Sequence, residues 1–520
     1  MGDSLYDTQG ENGTSQFTCS ILLNGTYWIV FYLVKMFMQS VSGVGNLSQK
    51  NIGGNRMESH EKGLQKTLQT RHITMISIGG IIGAGLFVGS GAVINTTGPG
   101  AVLSYAIAGL LVVLLMRMLG EMAIVNPDSG SFATYAREAI GPWAGYTIGW
   151  LYWFFWVIVI AIEATAGASI IHGWIPSLPI WMISLVLTFL LTLTNVYSVR
   201  SFGEFEYWFS MIKVVAICAF MITGLVILFG FLPAHPSPGL SNLTQRDGFL
   251  PKGFTSIFIG ILTVVFSFFG SEIAAVAAGE SSNPEKNVVK AINSVVIRIL
   301  LFYVGSVAIL VLLLPWDKAD LLKSPYVTML DMVGIPAAAQ VMNVIVLTSV
   351  LSCLNSALYT NSRMLYSLAK RGDAPKVLLR LSKNGVPVPA ILLSTIAAYI
   401  CAIFNFVSPD KLFLFLVNAS GAIALLVYIV IAVSHMRLRR KYEKENPGVL
   451  KLKMWMFPYL TYATIAAMIV ILFSMAFVES MRSQFYLTML IAVLVVLSYV
   501  FVKKKKKANV MEEIIEDLHA

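Results

Sequence analysis

Long apolar runs separated by short polar segments occupy most of the chain from about residue 73 onward. A helix needs roughly 20 apolar residues to cross a hydrocarbon core about 30 Å thick. Because no run alternates with a period of two, helices are expected throughout. Twelve runs qualify, at about 73–94, 98–124, 143–171, 179–197, 206–231, 254–279, 293–315, 337–362, 388–406, 411–435, 456–478 and 485–502. The pattern predicts an all-α polytopic membrane protein with twelve transmembrane helices.

Composition supports the same class of protein. Of the 520 residues, 57% are apolar and only 12% are charged, whereas soluble domains carry roughly 25% charged residues. Too few charges remain to cover a soluble protein of this size. The four cysteines form no disulfide framework, the six histidines lack metal-ligand spacing, and no Gly-rich run ends in Gly-Lys-Ser/Thr. We therefore expect no soluble enzyme fold, no metal, no cofactor and no nucleotide-driven motor.

Lys and Arg residues are concentrated in alternate loops. Basic residues lie before the first run, around the start of the seventh run at Lys286, Lys290 and Arg298, and after the last run from Lys503 to Lys507. Cytoplasmic loops carry an excess of basic residues, so the chain is predicted to span the cell membrane with both termini in the cytoplasm. This distribution also explains the net charge of +10, and a nucleic-acid partner is not expected.

The first 56 residues do not fit this scheme. They are polar except for an apolar patch at 26–34, which is too short to span. Met57 begins a segment typical of a cytoplasmic start, so we interpret 1–56 as an extension from an over-extended reading frame. The alternative is a membrane-surface or thirteenth hydrophobic element. The predicted organisation is an extension, a cytoplasmic segment, a transmembrane domain and a cytoplasmic tail, at 1–56, 57–72, 73–502 and 503–520.

Glycines are dense in the first run. Five occur between Ser77 and Gly89, and each weakens a helix by up to ~1 kcal/mol relative to alanine. Two interpretations stay open. Small residues such as Gly85 and Gly89 could let helices pack closely. Alternatively, the helix is unwound near the bilayer midplane, and its free N–H groups bind a carboxylate.

The sixth run has a similar interruption, because Gly270, Ser271 and Glu272 lie in its middle. A charge at that depth costs about 2.5–3.5 kcal/mol on insertion scales. Runs one and six are five helices apart, which suggests two repeats of five helices with the second inverted. The predicted fold is an inverted 5+5 repeat with broken helices 1 and 6, plus two extra helices.

Two further charges lie deep in predicted spans, Glu163 in the third and Lys213 in the fifth. Ionisable residues at such depth mark functional sites by default; the alternative is a Glu–Lys pair that only locks helices together. Arg117 and Glu121 are four residues apart and are expected to form an i,i+4 pair, as a gate or as a simple helix-surface pair. One or two rings of the aromatic cluster at 143–156 could close over a substrate.

From about Gly63 to Val502, the chain resembles an amino acid permease of the amino acid–polyamine–organocation superfamily, and within that family the bacterial γ-aminobutyrate (GABA) permeases. Aromatic, proline, lysine and alanine permeases share much of this framework. The resemblance is carried by RHITMISIGGIIGAGLFVGSG (71–91), RMLGEMA (117–123), GSFATYAREAIGPWAGYTIGWLYWFFWV (130–157), SFGEFEYWFSMIKVVAI (201–217), FSFFGSEIAAVAAGESSNPEK (266–286), SCLNSALYTNSRMLYSLAKRGDAP (352–375) and NASGAIALLVYIVIAVS (418–434).

The resemblance implies a secondary transporter that carries a small amino acid across the bilayer by alternating access, with a proton as the coupling ion. The substrate carboxylate would meet backbone N–H groups around Gly83, Ala84 and Gly85. Its amine would meet carbonyl groups near Ile81, Phe266 and Phe269. A lysine replaces the sodium site of other relatives at Lys213, while Glu163 and Glu272 match carboxylates near the substrate or on the proton path.

Other functions remain as alternatives. A permease for an α-amino acid is the nearest, and an amino acid exchanger would need no proton. A channel or nutrient receptor is less favoured. An integral membrane enzyme is least favoured, because neither a Ser/His/Asp set nor paired catalytic carboxylates can be recognised.

Overall fold

The structure is a computed structural model that describes residues 82–126, 131–197, 199–231, 237–245, 247–272, 284–318, 324–334, 337–403 and 409–519. Within these ranges every regular element is helical and there is no strand. The α-helices are α1 Ala84–Phe87, α2 Gly89–Thr97, α3 Ala101–Val125, α4 Ser131–Ala139, α5 Pro142–Trp174, α6 Ile180–Tyr197, α7 Val199–Leu228, α8 Ser241–Thr244, α9 Thr255–Phe268, α10 Pro284–Arg298, α11 Ser306–Leu313, α12 Pro325–Val333, α13 Ala338–Lys370, α14 Val388–Ile403, α15 Pro409–Glu445, α16 Tyr459–Ser474 and α17 Arg482–His519. Ile81 and the predicted segments 1–56 and 57–72 lie outside the described residues.

Eight helical runs of the described chain are long and apolar enough to cross a membrane, and three shorter apolar helices accompany them. One of the eight, Ala84–Val125, covers two predicted spans, because a 3₁₀ turn at Gly98–Gly100 divides it. All these helices coincide with predicted runs, which confirms the all-α polytopic membrane fold. The total of twelve spans and the inverted relation of the two halves stay predictions.

Helix α5 lies at the centre of the molecule. Its most apolar stretch is 83% buried, compared with 28% in α6 and 33% in α7. It packs against α4, α6, α13, α15 and α17. A helix that is apolar all round belongs in a core, whereas large exposed side chains on the outer helices, such as Phe189 and Trp208, face the lipid. The position of α5 brings Glu163 into the middle of the fold.

The described helices begin or end where the sequence predicts interruptions. Helix α1 begins after Gly83, whose φ of −140° and ψ of −144° are not helical. Helix α9 ends at Phe268, and Phe269 is extended with φ −65° and ψ 141°. Gly270 has a φ of 99°, which glycine adopts without the steric cost that other residues pay. The sixth run is therefore broken, and its middle presents free backbone groups.

Close packing also operates in the glycine-rich segment. A Cβ on Gly85 would lie 2.8 Å from the Cα of Ser267, so the backbones of α1 and α9 are in contact. The Ser267 hydroxyl donates to the Gly85 carbonyl at 2.8 Å. The close-packing interpretation is therefore confirmed at Gly85, whereas the binding of a carboxylate by an unwound helix stays a prediction.

Candidate functional site

A small cavity lies where α1, α5, the end of α9 and α13 meet. Its volume is about 10 Å³, roughly the room that one water molecule needs. Four of its nine lining residues are aromatic, and its Oε, Oγ and Sγ atoms come from three further side chains. The lining residues are Gly85, Phe155, Trp156, Val159, Glu163, Phe266, Ser267, Phe269 and Cys353. The cavity therefore brings together four of the predicted site residues, which the sequence places on three different spans.

The carboxylate of Glu163 binds the first backbone donor of α1. The N–H group of Ala84 donates to Glu163 Oε2 at 2.9 Å and to Oε1 at 3.2 Å. The first N–H groups of a helical segment have no partner within it and attract negative charge. Because Glu163 is only 1% exposed, this contact also satisfies a buried carboxylate. The carboxylate that this backbone N–H binds in the structure is thus supplied by α5, and the predicted contact with a substrate carboxylate stays a prediction.

Gly83 allows this contact to form. A Cβ at this position would lie 2.6 Å from Cys353 Cβ and 2.7 Å from Glu163 Oε1. Real Cβ atoms essentially never approach so closely, so any larger residue would displace α13 or the Glu163 carboxylate. Glycine at position 83 is therefore required by the packing of α1 against α5 and α13.

The second interruption is also bound by a carboxylate. The Gly270 N–H donates to Glu272 Oε2 at 2.9 Å and Oε1 at 3.0 Å, and Glu272 is fully buried. The Ser271 hydroxyl donates to the Phe268 carbonyl at 2.7 Å. These contacts satisfy backbone groups that the end of α9 leaves free. Glu272 therefore stabilises the break directly, whatever its part in transport.

Aromatic rings close the cavity between α5 and the second interruption. The ring centroids of Phe155 and Phe269 are 3.9 Å apart. The ring centroid of Tyr428 of α15 lies 5.0 Å from that of Phe269. Phe155 and Trp156 belong to the aromatic cluster that the sequence singles out, and both line the cavity. Phe269 links the broken helix to this wall, so a change at the break would also move the wall.

Lys213 is buried between α7 and α13. Its Nζ donates to Ser352 Oγ at 2.8 Å and lies 3.9 Å from Glu206 Oε1. Among the described residues, the pair is therefore Lys213–Glu206 and not the alternative Lys213–Glu163. Sequence reasoning missed Glu206 because it stands at the start of its predicted span. Its position seven residues before Lys213, two turns earlier on the same helix face, was the available signal.

The prediction that Arg117 and Glu121 pair with each other is wrong. Arg117 Nε donates to the carbonyl of Lys453 at 2.9 Å. Glu121, only 2% exposed, accepts from Arg439 at 2.6 Å and from the Met454 N–H at 2.7 Å. A buried carboxylate needs several strong donors, and distant segments supply them here. This network joins α3 to α15 and to the segment before α16.

The assignment of Arg298 to a cytoplasmic loop is also wrong. Arg298 ends α10, is 1% exposed and donates to Ser271 Oγ beside the second interruption. The residues that follow it form a π-helix, Ile299–Gly305, from which the Tyr303 hydroxyl donates to the Ser267 carbonyl at 3.1 Å. The signal was present in the sequence, because Arg298 lies five residues inside its own apolar run.

A multi-pass helical bundle with a buried, charged site beside the start of α1 and the end of α9 is typical of a membrane transporter. Transporters of this architecture bind substrates and ions where discontinuous helices leave backbone groups free. A solved structure shares the fold: the manganese transporter of Eremococcus coleocola matches with a TM-score of 0.54 over 88% of this chain and 99% of that chain, at 16% sequence identity. At that identity, the likeness concerns the fold alone.

The sequence profile of the family described as "Amino acid permease" matches residues 72–512. The chain is 63% identical over 450 residues to the "Gamma-aminobutyric acid permease" of Bacillus subtilis (strain 168), covering 86% of this chain and 96% of that protein. It is 47% identical over 455 residues to the "Gamma-aminobutyric acid permease" of Escherichia coli (strain K12), covering 87% and 97%. The chain belongs to the amino acid permease family. It is a membrane-embedded amino acid transporter and not an enzyme, as the sequence predicts.

Proposed function

We propose that this transporter takes up γ-aminobutyrate across the cell membrane by alternating access, coupled to a proton, with both termini in the cytoplasm. Two relatives named for this substrate, at 63% and 47% identity, support the choice of GABA. The contact between the Ala84 N–H and Glu163 carries the proposal for the site. This contact supports the proposal because the N–H of this segment donates to a carboxylate partner, that of Glu163. The carboxylate of GABA would take that position at Gly83, Ala84 and Gly85.

The ammonium group of GABA would meet carbonyl groups near Ile81, Phe266 and Phe269. The Phe269 N–H is shared between the carbonyls of Val265 at 3.1 Å and Phe266 at 3.3 Å. A carbonyl oxygen has two lone pairs, so the Phe266 carbonyl can accept a second donor. Because the cavity holds only about 10 Å³, the described conformation is closed. The rings of Phe155 and Phe269 must separate before GABA enters.

The test is uptake of labelled GABA into liposomes that contain the purified full chain, with an inward proton gradient and without sodium. We expect concentrative uptake that a protonophore abolishes and that excess GABA blocks better than proline, phenylalanine, alanine or lysine. Strong proton-driven uptake of one of these competitors, without uptake of GABA, would mean that the substrate is an α-amino acid. Uptake that depends only on internal amino acid would favour an exchanger.

Lys213 is proposed to carry the coupling proton, because it is fully buried and lies close to the cavity. Its hydrogen-bond partner Ser352 immediately precedes Cys353 in the sequence, and Cys353 lines the cavity. Lys213→Ala is expected to lose GABA accumulation driven by the pH gradient while it still exchanges external for internal GABA. Lys290→Ala, which removes an exposed lysine of α10, serves as the control and should accumulate GABA normally. Full accumulation by Lys213→Ala would show that the coupling proton is carried elsewhere.

A further inference from the structure

Glu206 forms a buried unit with Lys213 and Ser352. The Ser352 hydroxyl lies 2.8 Å from both carboxylate oxygens of Glu206 and 2.8 Å from Lys213 Nζ. All three residues are fully buried. The Ser210 hydroxyl adds a longer contact to Glu206 Oε1 at 3.3 Å. The unit joins α7 to α13 one residue before Cys353, which lines the cavity.

The chemistry of the serine hydroxyl fixes the direction of these hydrogen bonds. A hydroxyl has one proton to donate and lone pairs that accept. An ammonium group can only donate and a carboxylate only accepts, so Ser352 accepts from Lys213 and donates to Glu206. This arrangement fits a charged lysine opposite a charged glutamate. Removing one partner of such a buried pair leaves the other charge uncompensated.

In the part of the chain that the structure describes, few other ionisable groups face this unit. Glu163 of α5 and Cys353 of α13 interact with Lys213, and Tyr303 of the π-helix faces Glu163 and Cys353. Helices α6 and α11 also pack on α7, but their sequences contain no Asp, Glu, Lys, Arg or His. Glu163 is bound to the Ala84 N–H. Among the described residues, Glu206 is therefore the carboxylate in ion-pair contact with Lys213.

We infer that Glu206 is a positioning residue for proton coupling: through Ser352 it holds the Lys213 side chain in place and compensates its charge. The inference rests on the proposed role of Lys213. An opposite charge within a few ångströms stabilises the charged form of its partner. Without the carboxylate, the Lys213 ammonium group loses that stabilisation.

The experiment compares pH profiles of GABA uptake for the full chain and its Glu206→Gln variant in liposomes. Glutamine keeps the shape of the side chain but removes its charge. The pH midpoint of uptake is expected to move to lower pH, because the charged form of Lys213 loses its partner, and Glu206→Asp should restore most of the shift. Ser349→Ala is the matched control, because it removes a buried hydroxyl of α13 that donates to the Ile345 carbonyl of its own helix without changing any charge; its midpoint should not move. An unchanged midpoint in Glu206→Gln would overturn the inference.

Two further variants separate failure of this inference from failure of the proposed function. If Lys213→Ala keeps full proton-driven uptake, Lys213 does not carry the proton and the inference loses its basis. If Lys213→Ala loses that uptake while Glu206→Gln keeps the original midpoint, only the role of Glu206 is wrong. Should Glu206→Gln fail to fold, Ser352→Ala interrupts the same link. It is expected to lower the midpoint, and an unchanged value would overturn the inference equally.

Discussion

Replacing Glu163 with glutamine is expected to tighten GABA binding about tenfold. In the structure, the Glu163 carboxylate occupies the Ala84 N–H at 2.9 Å, where the substrate carboxylate is proposed to bind. When a side chain competes with the substrate for a site, the apparent affinity for the substrate equals the intrinsic affinity multiplied by the fraction of molecules in which the site is free. A hydrogen bond to a charged group stabilises by about 1.4 kcal/mol more than one between neutral groups, which is a factor of ten in binding. GABA would therefore displace the amide of a glutamine more readily than the carboxylate of Glu163. Equilibrium binding of labelled GABA to the purified protein measures the effect.

Glu272→Gln is the matched control for this prediction. Glu272 is also buried and also binds a backbone N–H at an interruption, that of Gly270 at 2.9 Å, but its contact is not the proposed carboxylate position. Its replacement should not tighten binding. Weaker GABA binding by Glu163→Gln would contradict displacement, because it would mean that Glu163 attracts the ammonium group of the substrate.

The helices of this transporter could be predicted because hydrophobicity is a local property of the chain. The third apolar run, 143–171, corresponds to Pro142–Trp174. The second interruption was predicted from Gly270 and its neighbours, since glycine and a charge in mid-span each disfavour an uninterrupted helix. In both cases, the residues that determine the structure are neighbours in sequence.

The partners of the buried charges were not predictable in this way. Glu163 and Ala84 are 79 residues apart, and Ser352 and Glu206 are 146 apart. Spacing along one helix suggested an Arg117–Glu121 pair, yet Glu121 binds Arg439, 318 residues away. Periodicity indicates which face of a helix a residue occupies, but it does not say which helix lies opposite. The depth of a charge could therefore be predicted, whereas its partner required the packed structure.

Replacing Gly85 with alanine is expected to reduce GABA uptake by about 100-fold. The new Cβ would lie 2.8 Å from both the Cα and the Oγ of Ser267. Because one of these atoms belongs to the backbone of α9, a side-chain rotation cannot relieve the clash, and α1 and α9 must move apart. Gly85 and Ser267 both line the cavity, so the N–H and carbonyl groups proposed to hold GABA would separate. A misplacement of about 1 Å can cost a factor of about 100 in rate where groups must act together.

Gly89→Ala provides the matched control one turn further along the same run. Its Cβ would meet the Ala84 carbonyl oxygen at 3.5 Å and Ser267 Oγ at 3.9 Å, which are ordinary contact distances. Alanine also favours the helix by up to ~1 kcal/mol over glycine, so this variant should transport normally and melt at the same or a higher temperature. Uptake and thermal unfolding measured for both variants separate a local clash from a general intolerance of alanine. Equal losses in the two would mean that glycine serves helix flexibility along the whole segment, and that the contact between Gly85 and Ser267 is not the reason for it.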